Sequence, residues 1–151
     1  MQTLARIATG FVLLIAATAS AQSPINFTGH WRQKTSAKAQ RQLDIEQKDK
    51  ILLVKTTITN SEGARSMEVK YQIAGPPATY TGLDGDEFHS SVHWDGSALV
   101  FDITEHEDGK DIPQKIVWTL SADGHTLQVD RLSEKSGRQT HSVATYIQSS
   151  K

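Results

Sequence analysis

The sequence predicts an all-β domain, an up-and-down antiparallel β-barrel of eight to nine strands. Three observations predict it. Asp-Gly recurs at Asp84-Gly85, Asp95-Gly96, Asp108-Gly109 and Asp123-Gly124, and this dipeptide tolerates the positive φ angles of tight hairpin turns. The segments between those turns alternate apolar and polar residues with period two, the mark of half-buried antiparallel strands. A meander of that many twisted strands leaves two exposed edges unless the last strand pairs with the first, and short, even turns favour such a barrel over a β-sandwich.

The barrel is expected over residues 22–151, behind a secretory leader at 1–21. Arg6 supplies a positive charge, Phe11 to Ile15 with flanking alanines an apolar segment, and Ala19-Ser20-Ala21 a small-residue cleavage site before Gln22. The apolar run is only about ten residues, too short to span a bilayer comfortably. The product is therefore expected in the periplasm or outside the cell, free of the membrane once the leader is cut. There is no cysteine, so neither a lipidated cysteine nor a disulfide is available, and stability must come from packing and a closed hydrogen-bond network. The chain carries a net charge of −1. Loss of Arg6 makes the product one unit more negative, and such a near-neutral domain is not built to coat nucleic acid or an anionic membrane.

Strands are expected near 27–35, 42–47, 50–59, 65–74, 86–94, 97–105, 111–121, 125–133 and 139–148. The pattern is clearest where Met67, Val69, Tyr71 and Ile73 share one parity, and where Phe88, Val92 and Trp94 do. Leu99, Phe101 and Ile103 repeat it, followed by Ile116, Trp118 and Leu120, then Leu127 and Val129. Ser36 to Gln42 has helix-forming composition but is too short for a stable helix, leaving a single helical turn or a loop. Pro76-Pro77 marks an irregular crossing.

At the start of the first strand stands Gly29-His30-Trp31. This resembles the Gly-x-Trp signature of the lipocalin and related calycin barrels. The run "FTGHWRQ … HWDGSALVFD … WTLSADGHTLQVDRLSE … ATYIQ" is similar to small exported lipocalin-like domains of bacteria, across nearly all of Phe27 to Gln148. The resemblance implies a barrel closed at one end by Trp31, with Gly29 letting the chain bend as it enters and an arginine from a late strand lying over the indole. Arg131 fits best, since it shares parity with Leu127 and Val129, and Arg138 is the alternative. An inward Arg131 could also anchor a ligand carboxylate, against the structural role of a cation–π lid. The chain lacks the disulfides and long C-terminal helix frequent in lipocalins.

The resulting expectation is a protein that binds a small, largely apolar molecule inside the barrel. Tyr71, Phe88, Trp94, Phe101, Trp118 and Arg131 are expected to line or fill the interior, while Gly29, Trp31 and Arg131 close one end. Lys55, Ser90 and Thr145 are further polar candidates for the inside. A solid core and a cavity stay open as alternatives. A second reading is a protein-binding module or inhibitor acting through the rim, with Gln22 to Asn26 as a flexible arm.

Catalysis, a metal and a cofactor are not expected. No phosphate loop, nucleophile elbow or His-Glu-x-x-His segment is present. His89 and His93 are four apart, but on a strand this is roughly 13 Å, too far to share an ion with bonds of ~2.1 Å. Glu105, Glu107 and Asp108, like Asp84, Asp86 and Glu87, fall at turns, where carboxylates are solvated. An enzyme would need Lys55, His89 or Glu105 to converge inside.

Overall fold

The structure, a computed structural model, describes residues 25–150. The expected leader lies outside the described residues, as does Gln22 to Pro24 of the expected arm. Ten antiparallel strands follow one another: β1 (Gly29–Gln33), β2 (Gln40–Lys48), β3 (Ile51–Asn60), β4 (Gly63–Gln72), β5 (Ala78–Thr81), β6 (Glu87–Asp95), β7 (Ala98–Glu107), β8 (Lys110–Leu120), β9 (Thr126–Lys135) and β10 (Arg138–Ser149). They form one sheet in the order β4-β3-β2-β1-β10-β9-β8-β7-β6-β5. The final strand pairs with the first, His30 facing Ser149 and Gln33 facing Tyr146.

The turns follow their residues. Glu107 pairs with Lys110 across Asp108 and Gly109, and both turn residues have positive φ, 49° and 73°. Ser136 and Gly137, at 55° and 75°, join Lys135 to Arg138 in the same way. Two consecutive positive φ values give the turn whose twist matches the flanking strands.

Two expectations are corrected and one open choice is decided. The strand count is ten rather than eight or nine, because the stretch after Pro76-Pro77 contains β5, a short strand paired with β6 through Thr79–His89 and Tyr80–Phe88. Ser36 to Gln42 contains no helical turn; the chain bends at 37–39 and enters β2 at Gln40. Closure removes the edges at β1 and β10 but not those of β4 and β5, which share no ladder. The seam is held at one end by the Ile73–Val92 bridge and the Ala74 N–H donating to the Val92 carbonyl at 2.7 Å. Nearer the other end, the Arg65 guanidinium donates to the Leu83 carbonyl at 3.3 Å.

The inward faces make one apolar core. Its closed end is aromatic: Phe27 is fully buried and Trp31 nearly so. Phe27 stacks on Trp94 with centroids 6.0 Å apart and meets Trp118 edge-on at 5.8 Å. The Trp31 indole N–H donates to the Phe27 carbonyl at 3.0 Å, which satisfies that ring's one polar atom. An aromatic side chain buries 150–250 Å², so each of these two rings contributes up to ~4–6 kcal/mol of transfer free energy. Gly29 matters through close approach, since a Cβ there would lie 2.9 Å from the Gln148 amide nitrogen and 3.2 Å from the indole nitrogen. Ile25 and Asn26 are not a free arm: Gln47 donates to the Ile25 carbonyl, and Ile25 packs on the core.

Candidate functional site

Above the aromatic plug the barrel is hollow. A cavity of about 340 Å³ opens toward solvent, within the 300–1,000 Å³ usual for ligand sites. Leu43, Met67, Phe101, Ile116, Trp118 and Val129 give it apolar walls. Each comes from a strand whose alternation turns one parity inward.

The polar groups gather at the mouth. Arg41 from β2, Arg131 from β9 and Tyr146 from β10 stand on one side, with Tyr71 and Tyr80 beyond. An adjoining space of about 330 Å³ shares Arg41, Ile58, Val129, Arg131 and Tyr146 with the cavity wall, so the two arginines stand between interior and solvent. Arg131 is exposed by area, yet its guanidinium is crowded by protein. That desolvation, followed by the like charge of Arg41, lowers its pKa from the ordinary value. Among the described residues, neither arginine forms an ion pair.

The phenols are tuned the other way. Burial, then the Tyr80 phenol, raises the Tyr71 pKa well above its ordinary value, and the two rings meet edge-to-face with centroids 6.0 Å apart. Burial also raises Tyr80 and Tyr146, the latter opposed in part by Arg41. All three therefore remain protonated donors at neutral pH. Across the mouth, Glu105 is drawn up by burial and by the charges of Asp84, Glu107 and Asp86, while the Gln114 amide donates to it.

The residues singled out from sequence divide as follows. Tyr71, Phe88, Phe101, Trp118 and Arg131 all line the cavity. Trp94 does not; its stacking on Phe27 puts it with the closed end. Gly29 and Trp31 are at that end too, but Arg131 is not over Trp31. Trp31 pairs with Gln148 of β10, whereas Arg131 pairs with Ser142. Six residues of strand, about 20 Å, separate the two levels. Leu127, opposite Tyr146 and fully buried, is the inward β9 residue toward the Trp31 end.

Lys55 points outward between Asp44 and Glu68, and Thr145 is outward beside inward Tyr146. Ser90 is inward and buried. Of the three groups an enzyme would need, Lys55 and His89 face away and only Glu105 enters. Among the described residues, no histidine lines the cavity.

Sequence reasoning missed Arg41, Tyr80 and Tyr146, and named Glu105 only as a turn carboxylate and as a group an enzyme would need inside. The signal for Glu105 was present, since it continues the parity of Leu99, Phe101 and Ile103.

No family model matches the chain, and no curated protein does. Solved structures do. A Schistosoma mansoni fatty acid binding protein in complex with arachidonic acid superposes with a TM-score of 0.64 at 13% identity, covering 85% of this chain and 100% of that one. Secretory abundant heat soluble protein 4 from Ramazzottius varieornatus gives 0.62 at 15% identity, covering 83% and 96%. Zebrafish ileal bile acid-binding protein complexed with cholic acid gives 0.58 at 13% identity, covering 82% and 98%. At these identities the likeness shows the fold alone, an antiparallel β-barrel.

Proposed function

We propose that this is an exported lipocalin-like barrel that takes a small, largely apolar molecule into its interior and holds an anionic head, of carboxylate type, at the mouth. The observation that carries the reading is the pair Arg41 and Arg131, directed into a cavity with apolar walls and, among the described residues, in no ion pair with a carboxylate. Two guanidiniums side by side repel. A ligand anion relieves that repulsion. Arg offers a planar fork that meets a carboxylate through two parallel bonds, and the protonated Tyr146 phenol adds a third donor. The hydrocarbon body would lie along Leu43, Phe101, Ile116 and Trp118 toward the plug.

Two of the similar structures are complexes with a carboxylic acid, arachidonic acid and cholic acid, which supports the same chemistry here. Catalysis is not part of the proposal, because the inward groups bind and orient without a base and nucleophile in reach of each other. Export rests on the leader pattern before Gln22.

The test is direct. The purified chain is titrated with a fluorescent fatty-acid analogue and then with unlabelled palmitate as competitor. Saturable binding at about one site per chain, displaced by palmitate, is the expected result; absence of saturable binding to this and to a bile-acid probe sinks the reading. N-terminal sequencing of the product expressed in a Gram-negative host should begin at Gln22.

A further inference from the structure

We propose that the outer face of β6 and β7 forms a binding site for a divalent transition metal of the zinc class, held by Glu87, His89 and His106. The site is independent of the cavity. Along one strand the histidines cannot cooperate, because His89 and His93 are four residues apart on β6. The sheet supplies a partner from the next strand instead. Glu87 lies directly opposite His106, and His89 is two residues further on, opposite Thr104. Facing and diagonal neighbours on one face of a sheet are within reach of long side chains.

The geometry is close to what an ion needs. One donor atom from each of the three residues lies within 4.8 Å of the others. The His89 Nε2 is 3.0 Å from a Glu87 oxygen, and the two imidazoles meet edge-to-face with centroids 4.9 Å apart. Donors on a tetrahedral zinc with bonds of ~2.1 Å stand about 3.4 Å apart. Small rotations of half-exposed side chains cover the difference.

The rings are also held by their other nitrogens. His106 Nδ1 is 2.5 Å from an Asp111 oxygen on β8, and His89 Nδ1 is 3.4 Å from the Thr79 hydroxyl on β5. Metal-bound imidazoles characteristically have one nitrogen on the metal and the other on a carboxylate or similar partner that fixes the ring. Here both rings leave Nε2 for the ion. The remaining histidines lack this arrangement: His30, His93 and His141 each face a single aspartate, and His125 faces Gln148.

Two imidazole nitrogens and one carboxylate oxygen suit zinc, copper(II) or nickel rather than calcium or magnesium, which take oxygen ligands. Three protein ligands leave a fourth position for water. Thr79, Glu87, His89, His106 and Asp111 belong to β5, β6, β7 and β8. An ion there would tie together the strands on the open side of the β4–β5 seam.

The test is isothermal titration of the full, untagged chain with zinc sulfate, after removal of metal with EDTA. The expected result is one zinc per chain. His89→Ala and His106→Ala should each weaken binding by at least about tenfold, and Asp111→Asn by about tenfold, the low end for loss of a ring-orienting partner. His141→Ala should leave it unchanged. Glu87→Gln serves as a variant that keeps side-chain volume should either alanine variant fail to fold. Absence of saturable heat in the parent chain overturns the proposal. So does binding that survives all of His89→Ala, His106→Ala and Glu87→Gln, since the ion then sits elsewhere.

Discussion

Arg131 is where the structural and the binding roles of an inward arginine make opposite predictions, and Arg131→Met separates them. Methionine keeps a flexible apolar stem along the cavity wall while removing the charge. A hydrogen bond to a charged group is worth ~1.5–3 kcal/mol. Because the mouth is open to solvent and Arg41 and Tyr146 remain beside the vacated position, the lower part of that range applies. About 1.5–2 kcal/mol corresponds to weakening of roughly tenfold to thirtyfold for a fatty acid. The matching fatty alcohol has no charge to lose, so its affinity should change by less than about threefold. The unliganded protein should be no less stable than the parent, because one member of a like-charged, unpaired couple is gone. Competition binding with palmitate and hexadecanol, alongside urea denaturation, reads all three quantities. Equal weakening of acid and alcohol would refute the anchoring role. A stability loss above about 1 kcal/mol, beyond the usual range for surface substitutions, would show that the guanidinium is part of the scaffold.

Three further outcomes follow from the same geometry. Glu105 has its pKa raised in the folded protein, so its contribution to stability is full below the unfolded pKa and is lost as pH rises through the folded one. Glu105→Gln should therefore raise the thermal midpoint at pH 7, with the gain shrinking as pH falls through the carboxylate range; a gain that persists unchanged at low pH would rule out the charge as its cause. Phe27→Ala empties the space between Trp94 and Trp118 and should cost ~3–5 kcal/mol in urea denaturation, whereas a loss under about 1 kcal/mol would mean that the plug repacks. Gly109→Ala adds a Cβ that meets no atom within 4 Å but must adopt a φ near 73°. A purely conformational loss of ~1–2 kcal/mol is expected, visible as a lower urea midpoint with an unchanged slope.

The parts of the molecule legible in sequence are those where a single local rule decides. Asp108-Gly109 sets a turn by itself, and Val69, Tyr71 and Ile73 set a buried face by themselves. Legibility fails where two rules compete. In β3, Ile51-Leu52-Leu53-Val54 is apolar on both parities, so nothing local says whether Lys55 faces in or out; the ladder to β2 and β4 decides, and turns it outward. Arg131 could be assigned to the interior from parity, but its level along the barrel axis depends on the register of β10 against β1 and β9. That register is a property of three strands at once. Glu105 obeys the parity of its strand and was obscured by its nearness to the Asp108 turn.

The open seam shows how a local break sets the site. Ala74 takes a positive φ of 53°, and Pro76 and Pro77 have no N–H to donate, so the ladder cannot run from β4 into its next neighbour. The chain leaves the sheet, returns for the four residues of β5, and leaves β4 unpaired along one side. Main-chain contact survives at the plugged end, through Ile73 and Val92; toward the mouth it gives way to side chains, Tyr71 against Tyr80 and Arg65 on Leu83. A barrel zipped along this line would draw β4 against β5 and squeeze the space bordered by Met67, Tyr71 and Tyr80. The interruption after Ile73 is thus what leaves an all-β chain of this length with room inside.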